Sequence, residues 1–193
     1  MDVIKVNKRD FTVKTKHLRS TGMVPGSVFG GNLPDSVSLQ IDKDIARRLI
    51  RYKREGSKLK LELDGQMVPV QIKEIESNIL NNEILHISFQ ALKADQKVNS
   101  VIHIILKNTD KITESLENML LEIPYAAFPK DMIDTITIDV DGMAVGTVVT
   151  VSDIPELMSD KIDLQVNKEE IVLRISDKRR SAKRPMEQAA EQE

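Results

Sequence analysis

The stretch KLKLELDGQMVPVQIKEI, running from Lys58 to Ile75, decides the fold class. At its centre Asp64-Gly65 is a two-residue hairpin signal, because both residues tolerate the positive φ that such a turn demands. Lys58–Leu63 and Met67–Ile75 are therefore read as the two strands of a hairpin. Working upstream, Val3–Val6 reads as a first strand, and His17–Gly22 as a turn of helix ended by its glycine. Pro25-Gly26 is a turn signal, Ser27–Phe29 a short strand, and Gly30-Gly31 its end. Ser36–Ile41 alternates, with Val37, Leu39 and Ile41 on one face, as a half-buried strand does. Asp42 or Asp44 can cap a helix in which Ile45, Leu49 and Ile50 form the apolar stripe. Arg47, Arg48, Arg51, Lys53 and Arg54 cover its other side, and Gly56 is expected to stop it. Glu83–Phe89 supplies the last strand of a first module.

Downstream of Lys97 the pattern changes to strands with little helix: Val98–Leu106, Asn118–Ile123, Thr135–Val140, Thr147–Val151 and Glu170–Ile175. Pro124, Pro129 and Pro155 are expected between strands, since proline cannot donate to a ladder. Ile112–Leu121 stays open, because Ile112, Leu116, Met119 and Leu120 fit a helix nearly as well as a strand. The expected fold class is mainly β: an α+β first domain at residues 1–93 with one or two short helices, and a mostly β second domain at 94–176. Residues 177–193, DKRRSAKRPMEQAAEQE, hold five cations within Lys178–Arg184 and no apolar periodicity, and are expected to be a disordered tail.

Composition supports a packed core along most of the 193 residues, 40% of which are hydrophobic. That core must be aliphatic, because four Phe, two Tyr and no Trp leave Ile, Val, Leu and eight Met to fill it. The absence of cysteine excludes a disulfide scaffold, thiolate metal sites and a cysteine nucleophile. No apolar run approaches ~20 residues, so neither a membrane span nor a secretory signal is expected, and the reading is a soluble cytoplasmic protein. The net charge of −2 hides an asymmetry. Residues 1–60 carry fourteen Lys/Arg against six Asp/Glu, a net of +8, whereas residues 94–175 carry seven against fifteen, a net of −8. The basic part suits a polyanion; the acidic part should point away from it, toward solvent or a basic protein.

Catalytic chemistry is missing. His17, His86 and His103 lie far apart with no second histidine at metal-ligand spacing. The glycines at 26, 30 and 31 match no phosphate-binding loop, and neither a G-x-S-x-G nor an H-E-x-x-H pattern exists. Asp139 and Asp141 share a strand face that suits a cation, but no further acid follows at calcium-loop spacing, so a solvated face is the simpler reading. No enzyme activity, metal, cofactor or small-molecule substrate is expected.

Nucleic-acid binding needs cations for phosphates and oriented polar groups for sugars and bases. Lys8, Arg9, Lys14, Lys16 and Arg19 supply the cations ahead of the Val24-Pro25-Gly26 segment. In order along the chain come Leu18-Arg19-x-x-Gly22-x-Val24-Pro25-Gly26-x-Val28-Phe29-Gly30-Gly31, the Asp64-Gly65 hairpin with Val70-x-Ile72-Lys73-Glu74-Ile75, and Ile84-Leu85-His86-Ile87-Ser88-Phe89. The second half adds Glu122-Ile123-Pro124, Phe128-Pro129-Lys130-Asp131-Met132-Ile133-Asp134 and Ala144-Val145-Gly146-x-Val148. Together they resemble the family of large ribosomal subunit protein twenty-five, in its two-domain form also called Ctc or general stress protein.

The resemblance implies a closed β-barrel that binds 5S rRNA and a second β domain that reaches outward from the ribosome; the leading reading adds that this acidic domain contacts neighbouring ribosomal proteins. Of the RNA-contacting residues it implies, Arg19 and His86 match. The first-strand cation falls at Asn7, with Lys8 and Arg9 beside it; the tyrosine is Phe29, without its hydroxyl; the aspartate is Ser88; and Glu76-Ser77-Asn78 replaces the usual Gln and Pro. The candidate RNA-binding set is therefore Lys8, Arg9, Lys14, Lys16, Arg19, Phe29, Lys73, His86 and Ser88. The rival reading is a divergent stress protein that has lost tight 5S binding and acts as a protein interaction module; a small-ligand β-barrel is a weaker third.

Overall fold

In a computed structural model, which describes residues 3–112 and 114–177, the Asp64-Gly65 turn joins β4 (Lys58–Leu63) to β5 (Gln66–Asn78), with Leu63 opposite Gln66. Both turn residues take positive φ, 51° and 77°, as the hairpin requires. Around this hairpin close β1 (Val3–Lys8), β2 (Met23–Phe29), β3 (Val37–Asp42) and β6 (Glu83–Ala91). The six strands form a closed barrel in the order β1-β3-β2-β6-β5-β4, in which β1·β4 and β2·β6 run parallel and the other neighbours antiparallel. Closure leaves no free sheet edge. Alternation turns Ile4, Val6, Val24, Val28, Leu39, Ile41, Leu59, Leu61, Ile72, Ile87 and Phe89 inward as one buried cluster.

Two helices serve the barrel. α1 (Thr15–Ser20) buries Leu18 and packs against β2; α2 (Lys43–Tyr52) buries Ala46 and Leu49 against the barrel core. Asp42 is the N-cap of α2, its carboxylate accepting from the amides of Asp44 (2.9 Å) and Ile45 (3.3 Å). Asp42→Ala is expected to cost about 1 kcal/mol, read as a lower urea midpoint at unchanged slope.

The chain divides into two compact units, residues 1–100 with 127–134, and residues 101–126 with those from 135 onward. The first takes in residues 127–134, a segment that Lys58 holds, its Nζ donating to the carbonyls of Pro129 (2.9 Å) and Met132 (3.2 Å). The second contains a sheet of β10 (Thr135–Asp139), β7 (Val98–Lys107), β9 (Glu122–Ala127) and β12 (Ile162–Leu164), and a smaller one of β11 (Val148–Thr150), β13 (Ile171–Ser176) and β8 (Ser115–Asn118). The protein is mainly β.

Four local expectations need correction, and one left open is decided. Pro25-Gly26 is not a turn but lies inside β2, where Gly26 faces Leu39 on one side and Ile87 on the other. Gly56 does not stop α2, which ends at Tyr52. Asn118–Ile123 is not one strand, because β8 ends at Asn118 and β9 starts at Glu122. Among the described residues of Ile112–Leu121, the stretch left open, there is no helix; the apolar spacing there comes from β8 followed by an irregular link whose Met119 and Leu120 amides donate to the Val172 carbonyl. Pro124 lies within β9, and β12 and three short 3₁₀ turns were not foreseen. The basic tract Lys178–Arg184 and the tail beyond it lie outside the described residues.

Candidate nucleic-acid interface

The barrel's outward positions line up across strands. Ser38 on β3 stands opposite Ser27 on β2, Ser27 opposite Ser88 on β6, and Ser88 opposite Glu74 on β5. A second row runs Asn7 on β1, Gln40 on β3 and Pro25 on β2, and on the β6·β5 side His86 faces Glu76. Ser88 Oγ lies 3.3 Å from His86 Nδ1 and 3.5 Å from Ser27 Oγ. Phe29 is half-buried one register further along, beside Gln90. Two hydroxyls, an imidazole and an aromatic ring thus share one wall of β2 and β6, and Ser38 extends the row onto β3.

Two bulges set this wall's composition. Pairing of β5 with β6 passes from Ile72↔Phe89 to Glu74↔Ser88, leaving Lys73 as an extra residue, and slips again between Glu76 and Ser77. Without the first slip, strict alternation from the buried Ile72 would turn Glu74 inward. With it, Lys73, Glu74 and Glu76 are all exposed.

At the other end of the serine row the Arg9 amide donates to the Ser38 carbonyl at 2.9 Å. The Arg9 guanidinium donates through Nη2 to Thr15 Oγ1 at 3.1 Å and lies 5.7 Å from the centre of the Phe11 ring, so it ties the end of β1 to the start of α1. Asp10 shapes the intervening loop, accepting from the Thr12 hydroxyl (2.6 Å) and amide (2.9 Å). The hydroxyl bond above all holds its carboxyl below the usual carboxylate range. Lys14 and Lys16 are exposed on this loop and helix, and Arg19 is half-buried on α1 next to the buried Leu18. Lys8 is engaged otherwise, its Nζ 2.8 Å from Asp64 Oδ2.

The structure therefore brings Phe29, His86 and Ser88 together, places Arg9, Lys14, Lys16 and Arg19 on the connected loop and helix, and puts Lys73 at the far end of the row. Ser27, Ser38, Phe11, Glu74 and Glu76 are not in the set expected from sequence, where Glu76 figures only as a departure from the family pattern. Alternation with Phe29 marks Ser27; the two glutamates depend on the bulge, which leaves no local signal.

In the second unit the acidic residues that suit a cation are held by the protein itself. Asp139 Oδ1 accepts from Asn108 Nδ2 (2.7 Å) and the Asp141 amide (3.0 Å), and Lys111 pairs with Asp141. The Asn108 bond above all lowers the Asp139 carboxyl below its ordinary value. His103 is buried, its Nδ1 3.4 Å from Glu122 Oε1.

The sequence pattern of the ribosomal L25p family matches residues 4–89, the span of the barrel, and that of the ribosomal protein TL5 C-terminal domain matches residues 97–179. A large ribosomal subunit protein bL25 from Akkermansia muciniphila is 31% identical over 143 residues, covering 72% of this chain and 71% of its own. The chain belongs to the bL25 family. Proteins of the same name from Nitrosomonas europaea and Bacillus pumilus are each 29% identical, covering 83% and 84% of this chain and 84% and 80% of their own. The bL25 family consists of structural ribosomal proteins, not enzymes.

Proposed function

We propose that this protein is a structural component of the large ribosomal subunit in the cytoplasm, that its basic barrel domain, residues 1–93, binds 5S rRNA, and that its acidic domain, residues 94–176, contacts neighbouring ribosomal proteins. The observation that carries this reading is the wall on β2 and β6, in which Ser27, Ser88, His86 and Phe29 stand side by side with cations at both ends. RNA presents its 2′-hydroxyls and base edges in a wide, shallow minor groove, and neutral groups that both donate and accept suit that surface. Arg9, Lys14, Lys16, Arg19 and Lys73 then meet the flanking phosphates. Glu74 and Glu76 accept from 2′-hydroxyls or base amino groups at positions where a phosphate would be repelled.

The test is sedimentation of a lysate in moderate salt. The protein should travel with the large subunit in stoichiometric amount and 5S rRNA should co-purify with it; its absence from that fraction rejects the reading. In a gel-shift titration of 5S RNA, Arg19→Ala and His86→Ala should each weaken binding about tenfold, the loss of one charged or polar contact of ~1–3 kcal/mol. Unchanged affinity in both removes them from the interface.

A second reading is a divergent stress protein that has lost tight 5S binding. It is favoured by Ser88 and Phe29, which lack the charge and hydroxyl that the family resemblance implies there, and by the Lys8–Asp64 pair, which engages one cation of the set. It expects a protein that stays at the top of the gradient.

A further inference from the structure

Helix α2 and strand β1 enclose a cleft of about 490 Å³ that plays no part in the 5S reading. In the closed strand order, β1 lies three strands from β6 in either direction, so the cleft sits across the barrel from His86 and Ser88. Its apolar lining includes Val3, Ile45 and Leu49, and Lys5, Arg48 and Tyr52 also border it. Its volume falls within the ~300–1,000 Å³ of small-ligand sites. Tyr52 is 74% exposed and Val3 50% exposed, so the ring and part of the apolar lining face water.

The charge on α2 continues beyond the cleft. Arg47, Arg48 and Arg51 are all exposed, and Arg47 and Arg51 follow one another on one face about 6 Å apart along the axis. Asp44, the one acid within the helix, stands 3.9 Å from Arg47, and Asp42 is spent on the cap. Like charges at three- and four-residue spacing disfavour an isolated helix, so this face gains when an anion covers it.

We propose that the α2–β1 cleft is a second RNA site, which takes one unpaired nucleotide of a single-stranded segment. The base lies against the Tyr52 ring and the apolar lining, and the adjoining phosphates lie on Arg48, Arg51 and Lys5. The proposal does not rest on the 5S reading. Charge alone fits an acidic peptide equally; the open aromatic ring beside an apolar slot is what favours RNA, since every base offers a flat face to stack. Guanidinium groups also meet phosphate oxygens with two parallel bonds.

Full-length protein is titrated by fluorescence anisotropy against a labelled twelve-residue oligouridylate, with 5S RNA as a parallel ligand. Arg48→Glu with Arg51→Glu should weaken oligouridylate binding at least about tenfold and flatten its salt dependence by about one to two units of slope. Tyr52→Ala should weaken it about tenfold at unchanged slope, and Tyr52→Phe should bind as the parent does. These side chains are exposed, so the variants should keep the parent's melting behaviour. Oligouridylate affinity equal to the parent's in Tyr52→Ala and the double reversal overturns the proposal. So does a loss produced by Arg19→Ala and His86→Ala but not by Tyr52→Ala, which moves single-strand binding to the other wall. Tyr52-dependent binding of polyglutamate without oligouridylate binding overturns it in favour of an acidic protein partner. Loss of 5S binding in Arg19→Ala and His86→Ala with oligouridylate binding intact leaves the two sites separately established; retained 5S binding in both rejects the 5S-contact assignment alone.

Discussion

Phe89→Ala is expected to lower the stability of the barrel by about 4 kcal/mol. Phe89 is fully buried, stands opposite Ile72 on β5 and Val28 on β2, and is the one aromatic ring in a core otherwise built from Leu, Ile, Val and Ala. Truncation removes the transfer free energy of the ring and leaves a cavity whose walls are strands locked to neighbours on both sides. A closed barrel cannot shrink to fill it without breaking ladder bonds, so the cost belongs near the middle of the range for buried rings. Against a total stability of roughly 5–15 kcal/mol, that is a large fraction. Urea unfolding followed by amide exchange at Leu59, Ile72 and Ile87 reads the first unit. With Tyr52→Phe in the background, fluorescence of Tyr125, then the one tyrosine and buried in the second unit, should keep its own transition. A loss below about 1.5 kcal/mol would mean that the aliphatic lining repacks around the gap.

The class of the fold was legible because its strongest signals are local. Asp64-Gly65 needs only two residues to declare a hairpin, and the stripe after Asp42 and Asp44 is enough to declare a helix, with the choice of cap left between the two. What was not legible depends on partners distant in sequence. Nothing near Val3 announces that β1 will pair in parallel with β4, and nothing near Gly26 announces β6, yet these two pairings close the barrel. The misreading of Pro25-Gly26 has the same origin. The pair is a turn signal when the chain is free to turn, but here neighbours on both sides hold it extended, and tertiary pairing overrides local preference.

The candidate interface divides in the same way. Arg19, His86 and Phe29 were reached through a resemblance of motifs, and the structure places His86 and Phe29 on adjacent strands. Glu74 and Glu76 became part of the wall only through the bulge at Lys73, and Lys8 left the set of open cations only through its pair with Asp64. Bulges and ion pairs across a turn have no period, so pattern reading passes over them.

Gly26→Val should show how far the wall depends on the close approach of β2 and β6. A Cβ at Gly26 would stand 2.8 Å from the Ile87 carbonyl oxygen, a backbone atom of β6 that no rotamer change can move, and 3.4 Å from Ile41 Cδ1. Valine must therefore push β2 and β6 apart, at a cost of about 3 kcal/mol. The same displacement separates Ser27 from Ser88 and His86, so 5S affinity should fall with stability even at temperatures where the protein stays folded. Gly65→Ala is the control. A Cβ there meets nothing within 4 Å, and only its φ of 77° is strained, so it should cost about 1 kcal/mol and leave RNA affinity unchanged. Equal effects of the two substitutions on RNA binding would show that the contact surface lies elsewhere than the β2·β6 wall, because only one of them disturbs the spacing of those strands.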